Sequence, residues 1–491
     1  MEYDVIIIGA GITGSSIARQ LCRYQLRIAL LEQEADVSFG VSKSNSGIVH
    51  AGFHEKPGSL KGKLCVRGNL LYEQYSQELN FPFRRSGILM IAMNDEQIQQ
   101  IEAFYSQGVK NHVPYLQLLS GERALEMEPN LTPDVREAIY APTGGIVEPY
   151  EMIFAIVENA QKNGLDLYTN TKIEAIEPDG SGLCVISGSK KFTARFVVNA
   201  AGLYADEVSR LAGAEEFTII PRKGEELLLD KRVGGVVQSV IFPTPTKNSK
   251  GILVIPTVEG TLMIGPTARE TDNKEDRATT TAGMEQILDQ VRQMVVGIQL
   301  KDIITQFVGL RPTINGDDFY IARSQKVPAL IQVAGIQSPG LTAAPAIAEM
   351  VKDILLKAGV QLVENPDYDP YRPREKKIRQ LDLAELDALI AENPAYGHVV
   401  CRCEKVSEAE IVHAIRQGHT TLDAVKFATR TGMGRCQGGF CTYRVMEILR
   451  RETGLEFDQM TKRGRESYVV KGALGPVIHE EEGEMYAKGT I

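Results

Sequence analysis

The first 32 residues place the strongest constraint on what this chain folds into. Residues 4–8, DVIII, are a short continuous apolar run, as expected of a strand buried on both faces of a parallel sheet. Gly9-Ala10-Gly11-Ile12-Thr13-Gly14 follows and matches G-x-G-x-x-G, then a helical pattern runs through Ile17, Leu21 and Tyr24. A second strand, RIALLE, ends at Glu32. This compact βαβ opening has a physical use for each of its parts. Gly9 permits the tight turn, Gly11 lets the backbone approach a pyrophosphate, and Gly14 lets the helix pack closely on the sheet. Thr13 belongs to the same loop, at the positive helix end that receives the pyrophosphate. Glu32 is placed to accept hydrogen bonds from a ribose diol. The motif alone also fits a glycine-rich turn that binds nothing; its strand–helix–strand setting favours the dinucleotide.

One such site in so long a chain, at its extreme N-terminus, favours resident FAD over a nicotinamide. The other glycine-dense stretch, Gly432 to Gly439, follows no strand and holds cysteines. A later segment, Gly335-Ile336-Gln337-Ser338-Pro339-Gly340-Leu341-Thr342, reads strand, tight turn, helix. A helix starting after Pro-Gly offers free N–H groups and a positive dipole end, suited to the N1–C2=O edge of a reduced flavin. From local sequence it is equally an ordinary helix start.

At 491 residues the chain exceeds one ordinary domain. Its formal charge of -9 disfavours nucleic acid or an anionic membrane surface as main partner. A small anion in a locally basic pocket remains open. No run approaches about 18 consecutive apolar residues, so no membrane span is expected. The seven cysteines are odd in number and thinly spread except for a C-terminal four, which points to a reducing cytoplasm rather than a disulfide framework. Residues 150–163 read as an amphipathic helix, and 217–324 as β-branched runs and turns of a mainly antiparallel sheet. The segment 359–398, rich in charge and proline, reads as a linker over a surface.

The ordering of GAGITG, SKSNSGIVHAG (42–52), VVNAAG (197–202), FVGLRP (307–312) and GIQSPGLT (335–342) resembles the D-amino-acid-oxidase-type flavoproteins, of the glutathione-reductase-2-like fold. Within them it is most similar to the glycerol-3-phosphate dehydrogenases and oxidases, with L-2-hydroxyglutarate oxidases nearby. The resemblance covers roughly residues 1–358. It implies an α/β (α+β) fold: a Rossmann-like FAD domain from 1–80, 145–216 and 325–358, and a mainly antiparallel substrate domain from 81–144 and 217–324. It also implies that Ser42, Ser46, Gly47, Ala201, Gly202, Gly335, Ser338, Gly340, Leu341 and Thr342 line the cofactor.

Oxidising an alcohol or amine on a flavin needs a base for the leaving proton. His50, in GIVHAG, titrates in a useful range. Taken alone, it reads first as a structural histidine; the resemblance makes it the base. Arg311 lies in an apolar strand where an unpaired guanidinium is costly, so it needs an anion: a substrate phosphate or carboxylate, or a buried ion pair. Lys250 and Ser338 match pocket residues of the glycerol-3-phosphate relatives, although Lys250 also fits a solvated turn. The substrate expected is a small anionic 2-hydroxy compound.

Cys401-Arg-Cys403 and, after 32 residues, Cys436-Gln-Gly-Gly-Phe-Cys441 bring four soft ligands into one short segment. Ser407-x-x-Glu410 and Thr420-x-x-Asp423 resemble capping boxes for two helices between them. Gly434, Gly438 and Gly439 would let N–H groups turn toward the sulfurs. The unit at 399–455 resembles bacterioferritin-associated-ferredoxin-type [2Fe–2S] domains, which are also appended to anaerobic glycerol-3-phosphate dehydrogenase subunits. Four thiolates also suit structural zinc, although zinc carries no electrons and a flavin neighbour gives iron–sulfur a use. The tail, 456–491, carries no assignment.

The expectation is therefore a cytoplasmic FAD-dependent dehydrogenase for sn-glycerol 3-phosphate, sending electrons through the cluster to a protein subunit or quinone pathway. Peripheral membrane attachment through such partners stays open. Competing readings are an L-2-hydroxyglutarate-type dehydrogenase, a proline-like secondary-amine dehydrogenase, and a non-catalytic electron-transfer subunit.

Overall fold

The computed structural model describes residues 2–180, 182–245 and 251–472. The chain divides between Arg374 and Glu375 into two compact units.

The N-terminal unit is built on two large sheets. In the first, Leu165–Tyr168, Ile28–Leu31, Glu2–Ile8, Lys190–Asn199 and Leu330–Ala334 lie side by side, all parallel. Tyr320–Arg323 closes one edge and the hairpin Ala175–Asp179 with Gly182–Ser187 extends the other part of Lys190–Asn199, both antiparallel. The central strands are buried on both faces, which is why they read as unbroken apolar runs. The opening helix, Ile12–Leu21, has nine of its ten residues buried because it lies between this sheet and the helices Pro149–Lys162 and Gly340–Lys357.

Such burial forces Arg19 inside, where a guanidinium needs full pairing. It donates to Glu78 at 2.5 Å, Asn159 at 3.0 Å and the Pro370 carbonyl at 3.2 Å, with the Tyr75 ring under it. The Pro370 contact shows what residues 359–374 do. They are strapped onto the helices, with Arg372 on Glu158 at 2.5 Å and Lys162 on Asp369 at 2.5 Å. The rest of the stretch expected as linker is not plain connection either. It carries the helix Leu383–Glu392, closed by an Asp382–Glu385 capping box, inside the second unit.

The second sheet has nine strands and is antiparallel except where Val240–Pro243 runs parallel to Ile88–Ala92. Its longest pair, Ile219–Leu229 with Ile303–Ile314, sets Arg222 opposite Arg311 and Gly224 opposite Gly309. Because side chains alternate along a strand, Arg222, Gly224 and Glu226 share one face. The mixed α/β fold class read from sequence is the one observed.

The C-terminal unit has a short hairpin, Val399–Cys401 with Val406–Ser407, and the helices Glu408–Arg416, Leu422–Thr429 and Thr442–Thr453. Ser407 and Glu410 form the expected capping box. The second helix is capped one residue later than expected: the Thr421 hydroxyl accepts from the Ala424 N–H, and Thr420 is outside the cap. Two adjacent threonines offer the same hydroxyl, so local sequence does not choose between them.

Among the described residues no helix is long and apolar enough to cross a membrane.

Candidate functional site

The glycine motif makes a cradle at the head of the opening helix. Gly9 has φ +101°, and a Cβ there would sit 2.6 Å from the Ala200 carbonyl oxygen. At Gly14 a Cβ would sit 1.9 Å from the Gly9 carbonyl oxygen, so helix and turn touch backbone to backbone. Replacing Gly14 with alanine is expected to cost about 1–3 kcal/mol of stability by overpacking. The check is flavin content and thermal unfolding: the variant should purify with less bound FAD and melt earlier. Glu32 is buried, and its carboxylate accepts from the Ala10 N–H at 2.8 Å and the Glu34 N–H at 2.9 Å. Burial raises its pKa, and those two N–H groups oppose the rise.

Most helix heads are closed by a side chain, as by Ser59, Asn94 and Thr280, or carry an acidic first turn, as Pro149–Lys162 and Ala205–Leu211 do; Thr442–Thr453, beside the thiols, has neither. The opening helix, after Gly11, and Gly340–Lys357, after Pro339, have no side-chain cap and no acidic residue in the first turn. Both heads therefore present N–H groups and a positive dipole end to an anionic ligand.

Residues 42–50 tie these two heads to the second sheet. The Ser42 hydroxyl accepts from the Ile12 N–H at 2.9 Å, and a Cβ on Gly11 would meet that hydroxyl at 2.9 Å. Further along, Ser44 lies so close to the sheet that a Cβ on Gly309 would sit 2.1 Å from its carbonyl oxygen. Ser46 donates to Glu226 at 3.1 Å. Gly47, at φ +63°, passes Val147, whose carbonyl oxygen a Cβ would meet at 2.5 Å. The His50 N–H donates to the Thr342 hydroxyl at 2.9 Å, and its carbonyl accepts from Asn69 at 2.9 Å. The His50 ring brings Nε2 to 3.3 Å from the Ser338 hydroxyl and sets its edge against Phe242.

The structure thus gathers Gly9, Gly11, Gly14 and Ser42 at one helix head, and His50, Ser338 and Thr342 at the other. Leu341 accepts from the Tyr72 hydroxyl at 2.6 Å, and Gly335 fits against Ile314. Thr13 lies buried in the first turn of the opening helix. The Ala201 N–H donates to Asn199 at 3.3 Å, and Gly202 has φ +56°. Lys250 lies outside the described residues.

Arg311 is not joined to His50 by any bond among the described residues. It donates to the Thr267 carbonyl at 2.6 Å, and Gly224 leaves the room its guanidinium occupies. Its neighbour is a residue the sequence reading missed. Glu226 is 3% exposed, and its Oε2 has no hydrogen-bond partner among the described residues. Burial pushes its carboxyl up to about 7, against the pull of the Ser46 hydroxyl and Arg311. An acidic residue inside the apolar strand run of KGEELLLD was the available signal.

In the second unit the four thiols form two pairs. Cys403 and Cys436 are 3.7 Å apart, and Cys401 hydrogen-bonds with Cys441. Backbone N–H groups point at them: Gly432 and Glu404 toward Cys401, Phe440 and Gly438 toward Cys436. The bond from Cys441 brings Cys401 down to about 6, and the same pairing pushes Cys441 up. Gly434 is needed for closeness, since a Cβ there would sit 2.3 Å from the Cys403 Cβ. Two thiolates on each of two irons, with N–H donors around the sulfurs, match the pairs.

A family model described as FAD dependent oxidoreductase matches residues 4–354. The chain belongs to that family. A second model, BFD-like [2Fe-2S] binding domain, matches residues 399–451. The glycerol 3-phosphate dehydrogenase of Caloramator mitchellensis is 43% identical over 96% of this chain and 98% of its own. The glycerol 3-phosphate oxidase of Mycoplasma genitalium is 30% identical over 74% of this chain and 98% of its own. Among solved structures, the FAD-bound L-alpha-glycerophosphate oxidase of Mycoplasma pneumoniae superposes with a TM-score of 0.73 at 27% identity, over 77% of this chain and all of the other. This FAD-dependent oxidoreductase therefore has FAD and a [2Fe–2S] cluster as cofactors, and the cradle, the uncapped helix heads and the thiol pairs are the residues that fit them.

Proposed function

We propose that this oxidoreductase oxidises sn-glycerol 3-phosphate to dihydroxyacetone phosphate. The observation that carries the reading is the His50–Ser338 pair, at 3.3 Å, seated at the uncapped head of Gly340–Lys357. The similarity to glycerol 3-phosphate dehydrogenase over nearly the whole chain supports the substrate. Bound FAD supplies an acceptor for the hydride leaving C2, and the [2Fe–2S] cluster supplies one-electron transfer onward.

The protein's own groups do the rest. His50 Nε2 takes the proton of the C2 hydroxyl, and the Ser338 hydroxyl orients ring and substrate. The bond from the His50 N–H to Thr342 and that from Asn69 to its carbonyl fix the histidine against the helix head. Arg311 anchors the phosphate: among the described residues it has no salt bridge, so most of its N–H donors remain for an incoming anion. Lys250 is the second phosphate ligand in this reading. A dye-reduction screen with glycerol 3-phosphate, L-2-hydroxyglutarate and proline tests the assignment. Turnover with the phosphate supports it; turnover with the diacid alone replaces it and makes Arg311 a carboxylate anchor.

Glu226 gives the reading a pH dependence. Below about 7 its carboxyl is neutral and the Arg311 charge is undiminished. Above that value the carboxylate competes for Arg311, so affinity for an anion falls as pH rises. In wild type, KM for glycerol 3-phosphate should rise on the order of tenfold more than in Glu226→Gln between pH about 6 and about 8. Taking the ratio at each pH cancels the ionisation of the substrate itself. Parallel KM profiles for the two proteins would remove Glu226 from the pocket.

A further inference from the structure

We propose that the solvent edge of the cluster site is a docking surface for a small acidic one-electron carrier protein, seated on Phe440 among Arg402, Lys405 and Arg444. This rests on the reading that substrate electrons reach the cluster.

The two thiol pairs differ in exposure. Cys401 and Cys441 are each 2% exposed, whereas Cys403 is exposed and Cys436 half-buried. Electrons leave most readily at the Cys403–Cys436 edge, where an acceptor approaches closest. Phe440, between Cys436 and Cys441, is 86% exposed, higher than any other large hydrophobic among the described residues, and Tyr443 beside it is 61% exposed. Aromatic side chains are the usual anchors of protein interfaces.

Basic residues sit beside the ligands in sequence, with exposed Glu447, three residues after Arg444, the acidic exception. Arg402 lies between two ligands, Lys405 follows Cys403 by two residues, and Arg444 follows Cys441 by three. All three are exposed and have no ion pair among the described residues. Four other arginines of this unit are paired: Arg416 with Glu452, Arg450 with Glu456, Arg451 with Glu408, and Arg430 with Glu404. Glu404, the carboxylate nearest the exposed ligand, is 3% exposed and faces inward to Arg430. A chain with a net charge of -9 thus places three exposed basic residues within three positions of the ligand cysteines. Such local positive charge speeds and orients encounter with an acidic surface. Two exposed aromatics and three cations suit a small transient electron-transfer interface, and are too little apolar surface to hold a membrane.

The balance is simple. Each substrate oxidised from alcohol to ketone releases two protons to solvent and two electrons, and two carrier molecules each take one electron.

The test uses the holoenzyme with oxidised cytochrome b5 as acidic probe, cytochrome c as basic probe, and phosphatidylglycerol vesicles. Calorimetric binding of cytochrome b5 should weaken about tenfold or more from low to high salt. Arg402→Glu with Arg444→Glu, or Phe440→Ala, should abolish it with iron content unchanged. With substrate present, reduction of cytochrome b5 should fall by at least about tenfold in the double variant while substrate still bleaches the flavin. Unchanged binding in the double variant, tighter binding of cytochrome c, or capture of the vesicles through these residues in place of cytochrome b5 would each overturn the proposal. If substrate never reduces the cluster, the functional reading fails, and the binding result still decides the surface.

Discussion

Replacing His50 by asparagine is expected to lower kcat by about 10²- to 10⁴-fold with FAD content unchanged. Asparagine keeps the main chain that bonds to Thr342 and Asn69, at 2.9 Å each, so the backbone beside the helix head stays in place. What is lost is the ring nitrogen next to Ser338. KM for glycerol 3-phosphate should change little, because the anchor proposed for the phosphate is Arg311, in another sheet. Free imidazole should restore part of the rate, which a purely structural role for His50 would not allow. An asparagine variant with near-normal kcat would return His50 to a structural role and leave the proton without an acceptor.

Cys401→Ser is expected to remove the cluster and uncouple the two units chemically. Cys401 is buried, takes N–H bonds from Gly432 and Glu404, and pairs with Cys441, so its loss leaves one pair without a partner and an inward-facing hydroxyl in its stead. Metal ligation is part of the folding free energy of a small site. Iron should be lost, visible absorption should reduce to that of flavin, and the 375–472 unit should be cleaved sooner by protease. Flavin bleaching by substrate should persist, since residues 2–374 form their own unit. Retention of iron by this variant would contradict the four-thiolate assignment. Loss of flavin reduction would show that the first unit depends on the second.

The parts legible in sequence are those whose physics is local. The opening strand, turn and helix are read within 32 residues because apolar period and glycine spacing change together there. The cysteine quartet is legible for the same reason: few other thiols compete for attention. What stayed hidden joins distant segments. Ser46 meets Glu226 across 180 residues, and His50 meets Ser338 across 288. Local pattern carries no trace of either pairing; family resemblance supplied His50 and Ser338, and only an acidic residue within an apolar strand run pointed to Glu226. Residues 359–398 read as a linker over a surface, and the surface partners they take stayed hidden for a different reason. Proline and charge are normal in a linker, yet here Arg372 and the carbonyls of Asp369 and Pro370 pair with buried or half-buried partners on the helices.

The central claim is that a small phosphorylated alcohol is oxidised beside His50 and Ser338, with Arg311 as its anchor. The most direct measurement is anaerobic mixing of the purified protein with glycerol 3-phosphate or with L-2-hydroxyglutarate, following flavin absorbance and the electron paramagnetic resonance of the cluster. The account predicts bleaching by the phosphate alone, followed by a reduced-cluster signal. Bleaching by the hydroxy diacid alone, or by neither compound, would contradict it.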